Sequence, residues 1–201
     1  MTPQTKGDQN DISLPFTPCL IGPELYNKEI TDNEENLLFG LLPLKILETK
    51  ITKSKRNEFK GVYHKSTPTG FLITAITGHV IVYVVNIMKD NAGFKKVRFF
   101  TIREMDSVWV PFGYAFGQLF LFDSVTAVRE TPNDGGYLSP FTLDCLKMNG
   151  LFLNERDKEA RLLSDYPNEL LFKQEEAVDS CRRFHAKILS QQYIHLSLIH
   201  I

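Results

Sequence analysis

The stretch Phe71-Leu-Ile-Thr-Ala-Ile-Thr-Gly-His-Val-Ile-Val-Tyr-Val-Val-Asn86 decides the fold class. It holds two runs rich in β-branched and aromatic residues, which pack well on a pleated surface. Thr77-Gly78 separates them, and glycine reaches the backbone angles of a tight reversal without steric cost. The stretch therefore reads as two strands, Phe71 to Ile76 and Val80 to Met88. The same texture continues on both sides, with strands expected at Leu44 to Ile51, Phe59 to His64, Lys96 to Ile102, Val108 to Val110, Gln118 to Phe122 and Val125 to Arg129. Turn signals fall between them at Thr67-Pro-Thr-Gly70, Lys89-Asp-Asn-Ala-Gly93, Glu104-Met-Asp-Ser107, Pro111-Phe-Gly113 and Asp123-Ser124. Many short strands at near-regular spacing predict an all-β sandwich or jelly roll.

The flanks differ from this centre. Residues Met1 to Leu14 are polar and read as a loose tail. Pro18, Pro23 and Pro43 bound short apolar pieces, which suits edge strands and loops rather than a long helix. After Pro140, Asn154 is positioned to cap a short helix running through Leu163. A longer helix is predicted from about Lys173 to Ser190, because Val178, Cys181, Phe184 and Ile188 recur at helical spacing and share one face. The expected organisation is a tail over 1–14, a β domain over 15–150 and a helical extension over 151–195. The final Leu-Ser-Leu-Ile-His-Ile over 196–201 resembles a translated sequencing-library adapter and is read as non-native.

Composition excludes several classes. With 43% apolar and 23% charged residues, the 201-residue chain has material for one sizeable core. Its 23 basic and 24 acidic side chains nearly cancel, so no overall field draws it to nucleic acid or an anionic membrane. No apolar run approaches the roughly 20 residues of a membrane helix, and the polar start lacks the pattern of a signal peptide. Cys19, Cys145 and Cys181 are widely spaced and odd in number, so they are expected to be reduced thiols in the cytoplasm. The histidines do not cluster as metal ligands do: His64 stands alone on its strand, His79 sits in a turn and His185 lies on the late helix. No metal and no cofactor are expected.

Glu48, Lys50, Thr52 and Ser54 place polar groups at every second position ahead of Lys60-Gly-Val-Tyr-His-Lys65. A strand with that spacing presents all four to one cavity. The pattern resembles Gln-x-Asn-x-Ser-x-Ser followed by Arg-Gly-x-His-x-Gln in the dTDP-4-dehydrorhamnose 3,5-epimerases of the cupin superfamily. Thr77 to Met88 is similar to that family's Gly-x-Val-x-Asp-Val-x-Val-Asp-Leu-Arg strand, with Asn86 and Met88 in place of its acid and base. Val110-Pro-Phe-Gly-Tyr-Ala-Phe-Gly117 is similar to Ile-Pro-x-Gly-x-Ala-His-Gly. Val128-Arg129 and Tyr137-Leu-Ser-Pro140 are similar to Tyr-Lys and Tyr-Tyr-x-Pro.

The resemblance implies a cupin-type jelly roll with C-terminal helices. It also implies a chemistry in which a histidine removes a proton beside a keto group, a cation holds the enolate and a tyrosine returns the proton. The base position aligns with Tyr63, the lysine with Phe71, the second histidine with Phe116 and the tyrosine with Val128. Phenylalanine and valine carry no proton and stabilise no anion, so standard 3,5-epimerase chemistry is not expected. Asp144 is the candidate for the carboxylate that orients a histidine. His64 lies one residue beyond the family's base, on the opposite face of a regular strand unless a bulge intervenes.

Two alternatives stay open beside the non-catalytic reading. A rearranged epimerase or ketoisomerase would use His64 as base with Tyr63 or Tyr137 as acid. A binding or assembly module would use the sandwich and the late helix to dock partners. A nucleotide-sugar ligand would meet Glu48, Lys60 and Arg129, with Lys65 as a further cation, and the resemblance implies a homodimer in the biosynthesis of nucleotide deoxysugars and surface polysaccharide. As packing residues, Tyr63, Phe71 and Phe116 would simply fill the core, and strand-end lysines such as Lys65 would be solvated.

Overall fold

A computed structural model describes residues 18–21, 48–130, 135–143, 146, 149–184 and 186. The tail, residue 185 and the last residues read as non-native lie outside that set, as do Asp144 and Cys145. The strands are β1 (Cys19–Ile21), β2 (Glu48–Ser54), β3 (Glu58–Lys65), β4 (Phe71–Thr77), β5 (Val80–Asn86), β6 (Val97–Ile102), β7 (Ser107–Val110), β8 (Tyr114–Phe120), β9 (Ser124–Glu130), β10 (Gly135–Tyr137) and β11 (Phe152–Leu153).

They build two sheets, one in the order β1-β7-β4-β9-β2 and the other in the order β10-β3-β8-β5-β6, with β11 added in parallel along β3. From β2 to β10 the chain changes sheet at every connection except β5 to β6. That weaving makes a cupin-type jelly roll. Most strand bounds fall within a residue or two of those expected. Two differ: β2 runs to Ser54, three residues past the expected end at Ile51, with residues 44–47 outside the described set, and β8 starts at Tyr114, immediately after Gly113 turns the chain at φ 83°, and pairs with β5 along its whole length. Its first half, Tyr114-Ala-Phe-Gly117, carries a mixed signal because alanine and glycine are weak strand formers.

The alternation of strand side chains splits the apolar residues into two cores. Between the sheets lie Phe71, Ile73 and Ala75 of β4, Val80, Val82 and Val84 of β5, Val108 and Val110 of β7, Phe116 and Phe120 of β8, and Val128 of β9. Their neighbours in sequence point outward, yet many are also buried. Leu72, Tyr83, Val85 and Trp109 pack beneath the chain that follows the sandwich, against Leu138, Leu143, Leu163 and Phe172 and against a helix over 174–184 through Ala177, Cys181 and Phe184. This explains why the central strands read as almost continuously apolar. Burial pushes the Cys181 thiol up to about 11, so it stays protonated and unreactive.

The C-terminal extension differs from a purely helical one, because β11 joins a sheet. The helix α1 (Glu155–Glu159) stops well before Leu163, where Ala160 turns extended and lets Arg161 bridge to Leu138. Asn154 precedes it without capping a backbone amide. Its amide instead approaches the Asp157 carboxylate at 3.5 Å. Among the described residues no helix is long and apolar enough to cross a membrane.

Candidate functional site

An irregularity in β3 determines what faces the space between the sheets. Lys60 pairs with Gln118 and Tyr63 with Phe116, so Gly61 and Val62 together oppose Gly117. This is a β-bulge, and one extra residue reverses the facing of everything beyond it. Gly61 makes it possible at φ 108°, since a Cβ there would lie 2.7 Å from the carbonyl oxygen of Phe116. Asp157 on α1 accepts the Gly61 N–H at 3.3 Å and fixes the bulge from outside. Lys60, Tyr63 and Lys65 consequently point between the sheets, whereas Val62 and His64 point outward.

Tyr63 meets Phe71 and Phe116 there. The ring centroids lie 5.9 Å (Tyr63 to Phe71), 5.8 Å (Tyr63 to Phe116) and 4.9 Å (Phe71 to Phe116) apart, all in edge-to-face geometry. That arrangement suits the quadrupoles of aromatic rings. Val128 belongs to the same cluster. Tyr137 lies across from Tyr63 with its ring centroid 5.2 Å away, and the Arg156 guanidinium covers Tyr137 at 3.6 Å. The four positions matched to base, lysine, second histidine and tyrosine thus converge in space, and they converge as packed rings and a valine.

A buried ion group borders this plug. Lys65 Nζ donates to Glu130 Oε1 at 3.0 Å, with both side chains only 1% exposed. Lys50 Nζ donates to the same oxygen at 2.5 Å from a half-exposed position and lies 3.7 Å from Glu48. Its hydrogen bond to Glu130 is the main cause holding the Lys50 ammonium above its ordinary pKa. Lys65 Nζ also sits 5.3 Å from the centre of the Tyr63 ring, a cation–π contact.

The residues picked from the sequence divide accordingly. Tyr63 and Tyr137 stand in the aromatic cluster, and Glu48 reaches its edge through Lys50. Lys60 faces the same interior, nearer the other end, over the Phe120 ring at 5.8 Å and 3.3 Å from Glu58. Arg129 lies opposite Leu72 and Thr49, on the outer side of its sheet. His64 lies on the outer side of β3. Lys65 and Glu130 were not singled out together: Lys65 reads as solvated at the end of a strand, but it is buried against a carboxylate 65 residues away. Their shared inward parity is the one signal that links them.

His64 has a well-defined partnership of its own. Its Nδ1 lies 3.0 Å from the Lys65 carbonyl oxygen and its Nε2 lies 2.9 Å from the Tyr166 hydroxyl. A neutral ring that donates from Nδ1 and accepts at Nε2 satisfies both. Burial holds the imidazole below its ordinary pKa of 6.5, opposed in part by the carbonyl bond. The unfolded chain therefore takes up this proton more readily than the folded one. The stability contributed by a neutral His64 is present in full above pH 6.5 and is lost as the pH falls from there toward the folded value. Urea midpoints measured from pH 7 to pH 5 should fall more steeply for the natural protein than for His64→Gln, and parallel curves would show that the histidine does not titrate in this range.

Among the described residues no three of His, Cys, Asp and Glu are placed to hold a metal ion.

No protein-family model matches the chain, and no curated protein matches it in sequence. Solved structures do match. The 3'-monoepimerase ChmJ of Streptomyces bikiniensis, in complex with dTDP-quinovose, aligns with a TM-score of 0.65 at 14% identity, covering 78% of this chain and 85% of its own. The rmlC epimerase of Mycobacterium tuberculosis aligns with a TM-score of 0.63 at 18% identity, covering 79% and 84%. The dTDP-6-deoxy-D-glucose-3,5-epimerase RmlC of Legionella pneumophila, in complex with dTDP-4-keto-L-rhamnose, aligns with a TM-score of 0.61 at 19% identity, covering 73% and 84%. From two sheets of this order, with their bulged third strand and helical C-terminal cover, the chain has the cupin-type jelly-roll fold of the dTDP-sugar 3,5-epimerases.

Proposed function

We propose that the protein is an epimerase-like cupin that binds a nucleotide deoxysugar without carrying out proton transfer at its C3 and C5 carbons. One observation carries this reading: Tyr63, Phe71, Phe116 and Val128 meet at one place, and three of them offer no titratable or cationic group. Proton abstraction beside a ketone needs a base of suitable pKa and a group that holds the enolate charge. Phe71 and Phe116 supply neither. His64 is committed to the Lys65 carbonyl and Tyr166 on the other face, and it is read as a packing residue.

Binding is supported by what borders the plug. Lys50 and Arg156 are half-exposed or more and carry cations beside the Tyr137 ring and the Glu130 carboxylate. Cations suit a diphosphate and a ring face suits a base or sugar. The structural neighbours from Streptomyces bikiniensis and Legionella pneumophila hold dTDP-quinovose and dTDP-4-keto-L-rhamnose. The expected homodimer and cytoplasmic location belong to the same proposal.

The test is to incubate the protein with a dTDP-4-keto-6-deoxyhexose in deuterated water and follow the C3 and C5 protons by NMR. Exchange is expected to stay at the rate without protein, while calorimetry with dTDP gives a binding isotherm. Exchange above that rate would overturn the loss of chemistry, and the absence of heat with both dTDP and the nucleotide sugar would overturn the ligand class.

A further inference from the structure

We propose that the protein recognises the nucleoside diphosphate half of its ligand and leaves the sugar half outside the sandwich, because Phe71 and Phe116 fill the space in which a hexose would be held. The inference rests on the nucleotide-sugar reading above and adds to it which part of the ligand is bound. Phe71 and Phe116 then set specificity by exclusion, in addition to packing the core.

The space is closed by depth and by contact. Phe71 is 1% exposed, Phe116 5% and Val128 8%, so a ligand at the mouth of the sandwich reaches none of them without displacing something. Further inward the same cluster continues through Ile73 and Val84, both fully buried. The ring centroids of Tyr63, Phe71 and Phe116 stand 4.9 to 5.9 Å apart in edge-to-face contact. A sugar ring lying between two of them needs about 7 Å, twice a carbon contact of roughly 3.5 Å. Entry would therefore expel at least one ring and press hydroxyls against the phenyl faces of Phe71 and Phe116, where they lose water and gain no hydrogen bond. These are the positions matched to groups that act on the sugar, so the place that closes is the sugar's own.

The mouth has a different character. Tyr63 and Tyr137 are half-buried there, with ring centroids 5.2 Å apart. The Arg156 side chain, 54% exposed, sets its guanidinium 3.6 Å from the centre of the Tyr137 ring, and the Lys50 side chain is half-exposed. Two accessible cations attract phosphate oxygens, and aromatic rings suit a base. A neutral hexose draws on neither charge. The buried Glu130 carboxylate, which could have accepted from its hydroxyls, is already taken by Lys65 and Lys50. Affinity therefore resides in the nucleotide, and the group that it carries faces solvent.

Calorimetric titrations of the full chain with dTDP and with dTDP-glucose test this. The two dissociation constants are expected to agree within about threefold. In saturation-transfer NMR with dTDP-glucose, the thymine methyl and ribose protons should take up saturation strongly and the hexose protons weakly. Arg156→Ala should weaken both ligands by the same factor, about tenfold, as for one lost hydrogen bond to a charged group. The proposal is overturned, with the nucleotide-sugar reading intact, if dTDP-glucose binds more than about threefold tighter than dTDP, if its hexose protons are saturated as strongly as the thymine methyl, or if Arg156→Ala weakens dTDP-glucose alone. Absence of binding by both ligands would overturn the two together.

Discussion

Glu130→Ala is expected to lower the free energy of unfolding by about 3–5 kcal/mol in a urea titration. Glu130 and Lys65 are each 1% exposed, and Glu130 is the carboxylate that the Lys65 ammonium meets inside the sandwich. Removing it takes away the counter-charge and leaves the desolvation of the ammonium unchanged, which is why breaking one partner of a buried pair costs more than the pair is worth. Lys50→Ala touches the same carboxylate from a half-exposed position and should cost no more than about 1 kcal/mol. Replacing both buried partners, with Lys65→Met and Glu130→Leu together, should recover most of the loss, since apolar side chains of similar size carry no desolvation penalty. A Glu130→Ala loss as small as that of Lys50→Ala would mean that Lys65 reaches water.

Phe116→Ala should cost about 3–5 kcal/mol, the range for deleting a buried phenyl ring whose surroundings relax only in part. Phe116 is buried and touches both Tyr63 and Phe71, so two rings lose a face. The strands on either side are held by the ladders of β3 and β5, which limits collapse into the gap. The variant should therefore melt earlier and still show no deuterium exchange with a keto sugar, because the vacated space gains no base. A loss below about 1.5 kcal/mol would mean that the rings are loosely packed and that the plug yields readily to a ligand.

Much of the sandwich was legible because its turns are written in residues with few other uses. Thr77-Gly78, Pro111-Phe-Gly113 and Asp123-Ser124 fix where strands end, and between them the period of two assigns faces. Phe71, Phe116 and Val128, matched in sequence to positions of one site, lie in one buried cluster. The extension after Pro140 was read less well, since β11 and the extended Ala160 answer to neighbours far away in sequence rather than to local propensity. The Lys65–Glu130 pair was hidden for the same reason. Lys50 was visible as one of several spaced polar residues, but its partner was not.

The bulge at Gly61 has a consequence for how the chemistry of this strand is encoded. In strict alternation with Lys60 the residues facing inward would be Val62 and His64; with two residues opposing Gly117 they are Tyr63 and Lys65. Whether an imidazole or a phenol looks into the sandwich is therefore a question of parity, set by whether the strand bulges at this point rather than by any exchange of one side chain for another. Deleting one of Gly61 and Val62 would leave a single residue opposite Gly117 and restore strict alternation with Tyr63 and Lys65 still facing inward, whereas straightening the strand at its present length would bring His64 in and expel Lys65 from Glu130. The bulge and the buried charge pair thus act as one coupled constraint: Lys65 meets Glu130 either with the bulge or with one residue fewer, but not in an unbulged strand of the present length.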